Sequence, residues 1–380
     1  GAQSEILTRH RPHIGTFKLA TVVRGLRARI EDLGGEVRFG SRVEALDLGP
    51  ERHVRGVRLA DGTRVAAREV VLAVGHSARD TFAALHALQV AMEAKPFAVG
   101  LRIEHPQTLI DRARWGPAAG HPRLGAAEYK LVHHCRGEHT RGRDVYSFCM
   151  CPGGLVVGAT SECGAVVTNG MSQHSRRERN ANTALVVNVT AADVAPWGTG
   201  PGDPLAGVAF QRHWEHLAFV AGGGDYRAPA QWVGDFLAGR PSREPPAGAV
   251  DGSHRPGVRL GSLDGCLPEV VLEAIREALP AFARRIPGYA MEGALLTGVE
   301  TRTSSPVRIL RDPVSLESPN TPGLYPAGEG AGHAGGILSA AIDGIRVAEA
   351  IALRRLPPRH RGEPGGSGGA RAGSRTHPRA

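Results

Sequence analysis

Apolar positions in this chain follow two periods, and the change from one to the other marks out its elements. Leu19, Val22, Val23, Leu26, Ile30 and Leu33 recur every three or four residues, which predicts one apolar helix face. Thr16 is expected to cap this helix, over residues 17–33, and Gly34-Gly35 to stop it. The period then drops to two. Val37 and Phe39 predict a strand, and residues 54–59, an Asp61-Gly62 turn and residues 64–65 predict a hairpin. Residues 69–74 form a continuous apolar run that ends at Gly75-His76-Ser77, and residues 80–88 return to the helical period. Beyond Glu93, short runs at 99–103, 146–150 and 155–159 read as strands, with helices expected at 212–220 and 268–283. Near the end, residues 324–327 predict a short buried strand and residues 328–332 a turn without bulky side chains. A helix to about residue 353 follows, with Ile337, Leu338, Ala341, Ile345 and Ala348 on one wide apolar face.

That last stretch carries the clearest chemistry. A strand feeding a glycine-rich turn and then a helix start leaves free backbone N–H groups at the positive end of a helix, which suits an anion or a dinucleotide. Gly335 and Gly336 at the helix start cost helix stability, so close approach of a planar or charged group explains them better than packing does. A strand–helix corner without a ligand is the plainer alternative.

The net charge of +9 resembles a nucleic-acid signal only until it is divided. Residues 351–380 hold seven arginines and one glutamate, or +6, which leaves about +3 for the body. Lysine occurs only at Lys18, Lys95 and Lys130, against 43 arginines, a compositional bias in which a retained lysine at a tight position stands out. Five cysteines without scaffold spacing suit a reducing compartment. With no apolar stretch long enough to span a bilayer and no leader pattern at the start, a cytoplasmic protein is expected, without a membrane partner.

Outside the glycine segment, four side chains are candidates for catalysis. Cys149 and Cys151 flank Met150 ahead of Pro152-Gly153-Gly154; on a regular strand both thiols share one face, about 6–7 Å apart. Cys151, beside the expected turn, is read as the more reactive, with no disulfide between them; two small buried hydrophobes are the alternative. Arg302 could grip an anionic substrate or form a salt bridge at a domain junction. Lys95 precedes Pro96 where the chain is expected to cross into a second domain. The donor-rich stretch 169–182 could bind an anion or brace its own loop. His133, His134 and four cysteines fall in one window, yet no paired CxxC or HExxH spacing appears, so no metal site is expected.

The segment from Gly323 to Ala352, GLYPAGEGAGHAGGILSAAIDGIRVAEAIA, resembles the C-terminal flavin-binding segment of two-domain FAD-dependent oxidoreductases. HIGTFKL, VLAVGHSARDTF, EAKPFAVGLRIEH, YSFCMCPGG, TNGMSQHSRRERNAN and GVETRTSSPVRI extend the resemblance to a bacterial and plastid family of uncharacterised FAD-dependent dehydrogenases. The resemblance implies an α/β fold: an FAD/NAD(P)-binding, Rossmann-like domain from residues 1–93 and 321–356, with a mostly β (α+β) domain inserted at 94–320. A disordered basic tail is expected at 357–380. It further implies FAD contacts at Gly75, His76, Gly328, Glu329, Gly332, Gly335, Gly336 and Ile337, with the helix start facing the flavin's pyrimidine edge. No strand–GxGxxG–helix opening precedes these parts, so the dinucleotide domain is expected to be N-terminally incomplete. The implied activity is oxidation or reduction of a small-molecule substrate, with NAD(P)H open as electron donor although no second GxGxxG segment is present. A non-catalytic flavin or nucleotide scaffold or sensor, and an RNA-modifying flavoprotein, are the other readings. The basic tail lacks interleaved aromatics, which weighs against nucleic acid.

Overall fold

The first periodic stretch becomes α1 (Thr16–Asp32), capped by Gly15 and not by Thr16. The Thr16 hydroxyl donates instead to the Ser172 carbonyl. In this computed structural model, which describes residues 2–8 and 13–355, no residue of α1 is buried. Val23, Leu26, Ile30 and Leu33 are 57%, 61%, 49% and 71% exposed, so the expected buried face points outward. Periodicity locates an apolar face; it does not supply what covers it.

The strand expected at Val37 and Phe39 is absent. Phe39 is 74% exposed, and the Arg27 guanidinium stands 5.4 Å from its ring centre. The strand forms later, as β1 (Val43–Leu48), where pairing with β2 (Val54–Leu59) supplies the backbone partners. β2 turns through Asp61-Gly62 into β3 (Arg64–Ala66), as the hairpin signal predicts. Then follow β4 (Val70–Leu72), α2 (Arg79–Ala87) and β5 (Met92–Ala94).

The middle of the chain builds a mixed eight-stranded sheet. Its strands are β6 (Phe97–Pro106), β7 (Val132–His134), β8 (Asp144–Gly158), β9 (Thr168–Ser172), β10 (Asn180–Val189), β11 (Ala228–Trp232), β12 (Val258–Leu260) and β13 (Leu295–Glu300). They run in the order β12-β11-β13-β6-β10-β8-β7, with β9 paired to β8; only β11 and β12 are parallel neighbours. The connections carry α3 (Gln107–Trp115), α4 (Ala191–Val194), α5 (Ala206–Gly222), α6 (Val233–Leu237) and α7 (Glu269–Ala283).

Alternation along β6 sorts the two faces of this sheet. Phe97, Val99, Leu101 and Ile103 join Leu185 and Val187 of β10 and Leu272, Ile275, Leu279 and Phe282 of α7 in one core. Each such fully buried side chain contributes about 1.5–3 kcal/mol. The intervening positions turn Arg102 and Glu104 to the opposite face, where both are buried. There Arg102 pairs bidentately with Glu300 and donates to Asn182 and Asn169, while Glu104 accepts from Asn180. The donor-rich 169–182 stretch thus spends its asparagines inward.

After the sheet, β14 (Val307–Ile309) pairs antiparallel with β5. β15 (Leu324–Pro326) pairs parallel with β4 and leads into α8 (Ile337–Arg355). Here too the expected apolar face lies open: Ile337, Leu338 and Ile345 are 69%, 64% and 59% exposed, while Asp343 and Val347 are the buried positions. The expected basic tail lies outside the described residues. No helix among those described is long and apolar enough to cross a membrane.

Candidate functional site

Two distant segments meet at the ends of the parallel strands. Ala327 N–H donates to the Leu72 carbonyl at 3.0 Å, and both strands run out into glycine turns, Gly75 at φ +71° and Gly328 at φ +74°. The turns press together so closely that a Cβ on Gly330 would lie 2.4 Å from the Gly75 carbonyl oxygen. Only glycine fits there. Across this contact His76 Nδ1 lies 3.0 Å from Glu329 Oε1, both side chains half-buried. Gly332, at φ +80°, lets the turn pass the Val307 carbonyl, which a Cβ would approach to 2.7 Å.

Asp343, which the sequence reading did not single out, holds the turn from below. Its carboxylate accepts the Gly328 N–H at 2.7 Å and pairs with both terminal nitrogens of Arg311. Burial opposes its charge, yet Arg311 and the Gly328 N–H outweigh that and lower its pKa. Above the turn, a Cβ on Gly335 would meet nothing within 4 Å, and one on Gly336 only the Ser339 hydroxyl, at 3.9 Å. The protein's own packing therefore does not require glycine at either position. Next to them, Ile337 begins α8 and is exposed. A side-chain-free helix start beside paired glycine turns fits the backbone approach that a flat anionic cofactor such as FAD requires.

The charge of Glu329 is felt at Lys95 and at Cys149. Burial and the nearby Arg308 lower the Lys95 pKa, while the Glu329 charge works to raise it. Although the residue keeps an exposed surface, desolvation by the protein packed around its sulfur pushes the Cys149 thiol up to about 11, with Arg102 opposing and Glu300, Cys151 and Glu329 adding to the rise.

The thiols sit in a strand different from the one expected. Residues 146–150 and 155–159 belong to one continuous β8, and Pro152-Gly153-Gly154 runs inside it instead of turning the chain. A bulge absorbs the irregularity: Cys149 is at φ +44°, and the register against β10 shifts between Ala184 and Asn182. Gly153, at φ +45°, is required because a Cβ there would lie 1.9 Å from the Arg176 carbonyl oxygen. Cys149 is exposed and Cys151 only partly so; the Cys151 thiol donates to the Cys149 carbonyl, and burial raises its pKa as well. All five cysteines are free thiols. In timed alkylation with peptide mass mapping, the exposed Cys163 and then Cys149 should label before Cys151, with buried Cys135 and Cys266 labelling only on unfolding. Labelling of Cys151 ahead of Cys149 would contradict this order.

Arg302 takes the salt-bridge alternative. Its Nε and Nη2 donate to Glu215 at 3.0 and 2.8 Å, and its Nη1 donates to the hydroxyls of Ser77 and Ser161. Arg79, at the start of α2, closes the other side of Glu215 and also reaches Glu162 and Gln211. Glu215 is wholly buried, and together these groups bind α2 to the large sheet's helix α5 and to the strand end at Thr301, whose hydroxyl also donates to Glu215.

Residues 96–303 match the family described as FAD-dependent protein, C-terminal domain-like. A Clostridium beijerinckii protein described as "Uncharacterized protein" is 49% identical over 351 residues, which cover 92% of this chain and 63% of the relative. The chain thus spans less than two thirds of that relative's length. With more than half of its residues inside the match, the chain belongs to the FAD-dependent protein, C-terminal domain-like family.

Proposed function

We propose that this chain is the flavin-side part of an FAD-dependent oxidoreductase acting on a small-molecule substrate. The observation that carries the reading is the meeting of the Gly75 and Gly328–Gly330 turns, with His76 and Glu329 paired across them and an open glycine helix start alongside. On this reading residues 1–93 and 321–356 are the cofactor side and 94–320 the domain that covers the substrate. Bound FAD would supply hydride or electron transfer, with NAD(P)H a candidate donor.

Each residue then has a separate task. Gly75, Gly328 and Gly332 shape the backbone cradle. Glu329 and His76 offer polar contacts at the strand ends, and the helix start at Gly335, Gly336 and Ile337 faces negative charge, with the Gly335 N–H donating to the Ser339 hydroxyl. Lys95 Nζ offers a cation or a proton beside Glu329. Cys149 and Cys151, held as thiols by their raised pKa values, can donate weak hydrogen bonds but are poorly suited as nucleophiles at neutral pH. Arg302 acts as a positioning residue through Ser77 and Glu215.

The uncovered apolar faces of α1 and α8, and Val71 of β4 at 46% exposure, support cover by a further segment. The ADP half of FAD would be held by that segment. The non-catalytic scaffold reading is favoured by two observations: Arg302 is already engaged by Glu215, and burial raises the pKa of both thiols.

A protein extended to the relative's length should retain flavin through desalting, seen as absorbance near about 450 nm, whereas residues 1–380 should retain little. Equal, tight retention by both would overturn the division of the site, and retention by neither would overturn the flavin reading. Bleaching of the bound flavin by NAD(P)H or a metabolite separates enzyme from scaffold.

A further inference from the structure

The edge strand β7 carries His133, and Cys135 follows two positions on, so both side chains fall on the same face. That face looks onto α7, which presents Glu277. His133 Nε2 lies 3.1 Å from Glu277 Oε1, and one ligand atom from each of His133, Cys135 and Glu277 lies within 4.8 Å of the other two. No role at the flavin turn engages these residues.

We infer that His133, Cys135 and Glu277 form a binding site for a divalent, zinc-like cation. An imidazole nitrogen, a thiolate and a carboxylate are the donor types that zinc takes, and three protein ligands plus a water complete a tetrahedron. Two ligands held about 2.0–2.2 Å from a tetrahedral ion stand roughly 3.3–3.5 Å apart. The His133–Glu277 separation of 3.1 Å therefore needs to open by only a few tenths of an ångström.

The surroundings fix the ligands in place. Cys135 N–H donates to the Arg143 carbonyl, which continues the β7–β8 pairing past His134. Glu277 accepts the N–H groups of Arg136 and Gly137 and the Thr140 hydroxyl, so the 136–140 loop is wrapped around its carboxylate. These contacts orient the carboxylate in the way that outer hydrogen bonds orient metal ligands. His133 and Glu277 keep 21% and 27% of their side-chain surface exposed, which leaves a path for an ion and its water.

Binding forms bonds from the metal to the His133 nitrogen, the Cys135 sulfur and a Glu277 oxygen, and the Cys135 proton leaves to solvent. No electron is transferred.

The test is titration of chelator-treated protein, residues 1–380, with cobalt(II), followed by displacement with zinc. The expected result is saturation at one equivalent, with tetrahedral visible bands and a thiolate-to-cobalt charge-transfer band that zinc abolishes. Cys135→Ser should remove the charge-transfer band, and His133→Ala should weaken binding by more than the ~100-fold seen for loss of an outer hydrogen-bond partner. His133→Ala keeps the loop bonds to Glu277, so it also serves should Cys135→Ser fail to fold. Absence of the thiolate band in the unaltered protein, its persistence in Cys135→Ser, or unchanged affinity in His133→Ala would overturn the assignment.

Discussion

Glu215→Ala is expected to destabilise the chain by about 3–5 kcal/mol, because it strands buried cations beside an emptied site. Glu215 is wholly buried, while Arg79 and Arg302 keep 1% and 4% of their side-chain surface. Between them they direct four N–H groups at the carboxylate. Loss of the anion removes all four partners together with the acceptor of the Thr301 hydroxyl. Urea unfolding should show a lower midpoint with an unchanged slope. Glu162→Gln, at a carboxylate that keeps 31% of its surface, should cost far less. Burial opposes ionisation of Glu215, but Arg302 and Arg79 prevail and lower its pKa. Its contribution is therefore complete above the ordinary glutamate range near about 4.3 and is lost as pH falls through the depressed folded value. A destabilisation below about 1 kcal/mol for Glu215→Ala would show that the junction does not depend on this charge.

Gly336→Asp, placed in the extended protein, is expected to abolish flavin retention while leaving the unfolding midpoint within about 0.5 kcal/mol of the parent. An acidic side chain in the first turn of a helix normally stabilises the helix, by about 0.3–1 kcal/mol. At position 336 the only atom near a new Cβ is the Ser339 hydroxyl, at 3.9 Å, so the substitution has room in the protein itself. Damage to binding without damage to folding must then come from conflict with a negatively charged or closely apposed ligand. Gly335→Asp, with open space around its Cβ, should behave alike. Normal flavin content in both variants would move the cofactor away from this helix start.

Local pattern made much of this architecture legible. The 3.6-residue period placed α1, α2, α5, α7 and α8, and Asp61-Gly62 placed the hairpin between β2 and β3. β1 escaped because Glu44 and Asp47 break its alternation, and only pairing with β2 makes it a strand. The sense of burial for α1 and α8 was likewise illegible, since a stripe of apolar residues looks the same whether covered or open.

At the candidate site the glycines announced themselves, but their partners lie far off in sequence. His76 and Glu329 are 253 residues apart, and Arg302 finds Glu215 across 87. No local spacing encodes such pairs. Asp343 hid among the several polar residues of α8, although an acid on the face opposite the apolar stripe could have suggested an inward partner. Cys149 and Cys151 were read on an ideal strand, and the bulge that Gly153 accompanies changes their relation.

The central claim is that the Gly75 and Gly328–Gly336 backbone forms the flavin cradle, and amide hydrogen exchange tests it most directly. The extended protein should be compared with FAD bound and after the flavin is stripped, with peptides covering residues 70–79 and 323–340 resolved from the rest. The predicted result is slowed exchange in both peptides on FAD binding, with little change in 132–140, where β7 pairs with β8 and its loop wraps around Glu277. Unchanged exchange in both peptides, with protection appearing only elsewhere in the chain, would contradict the account.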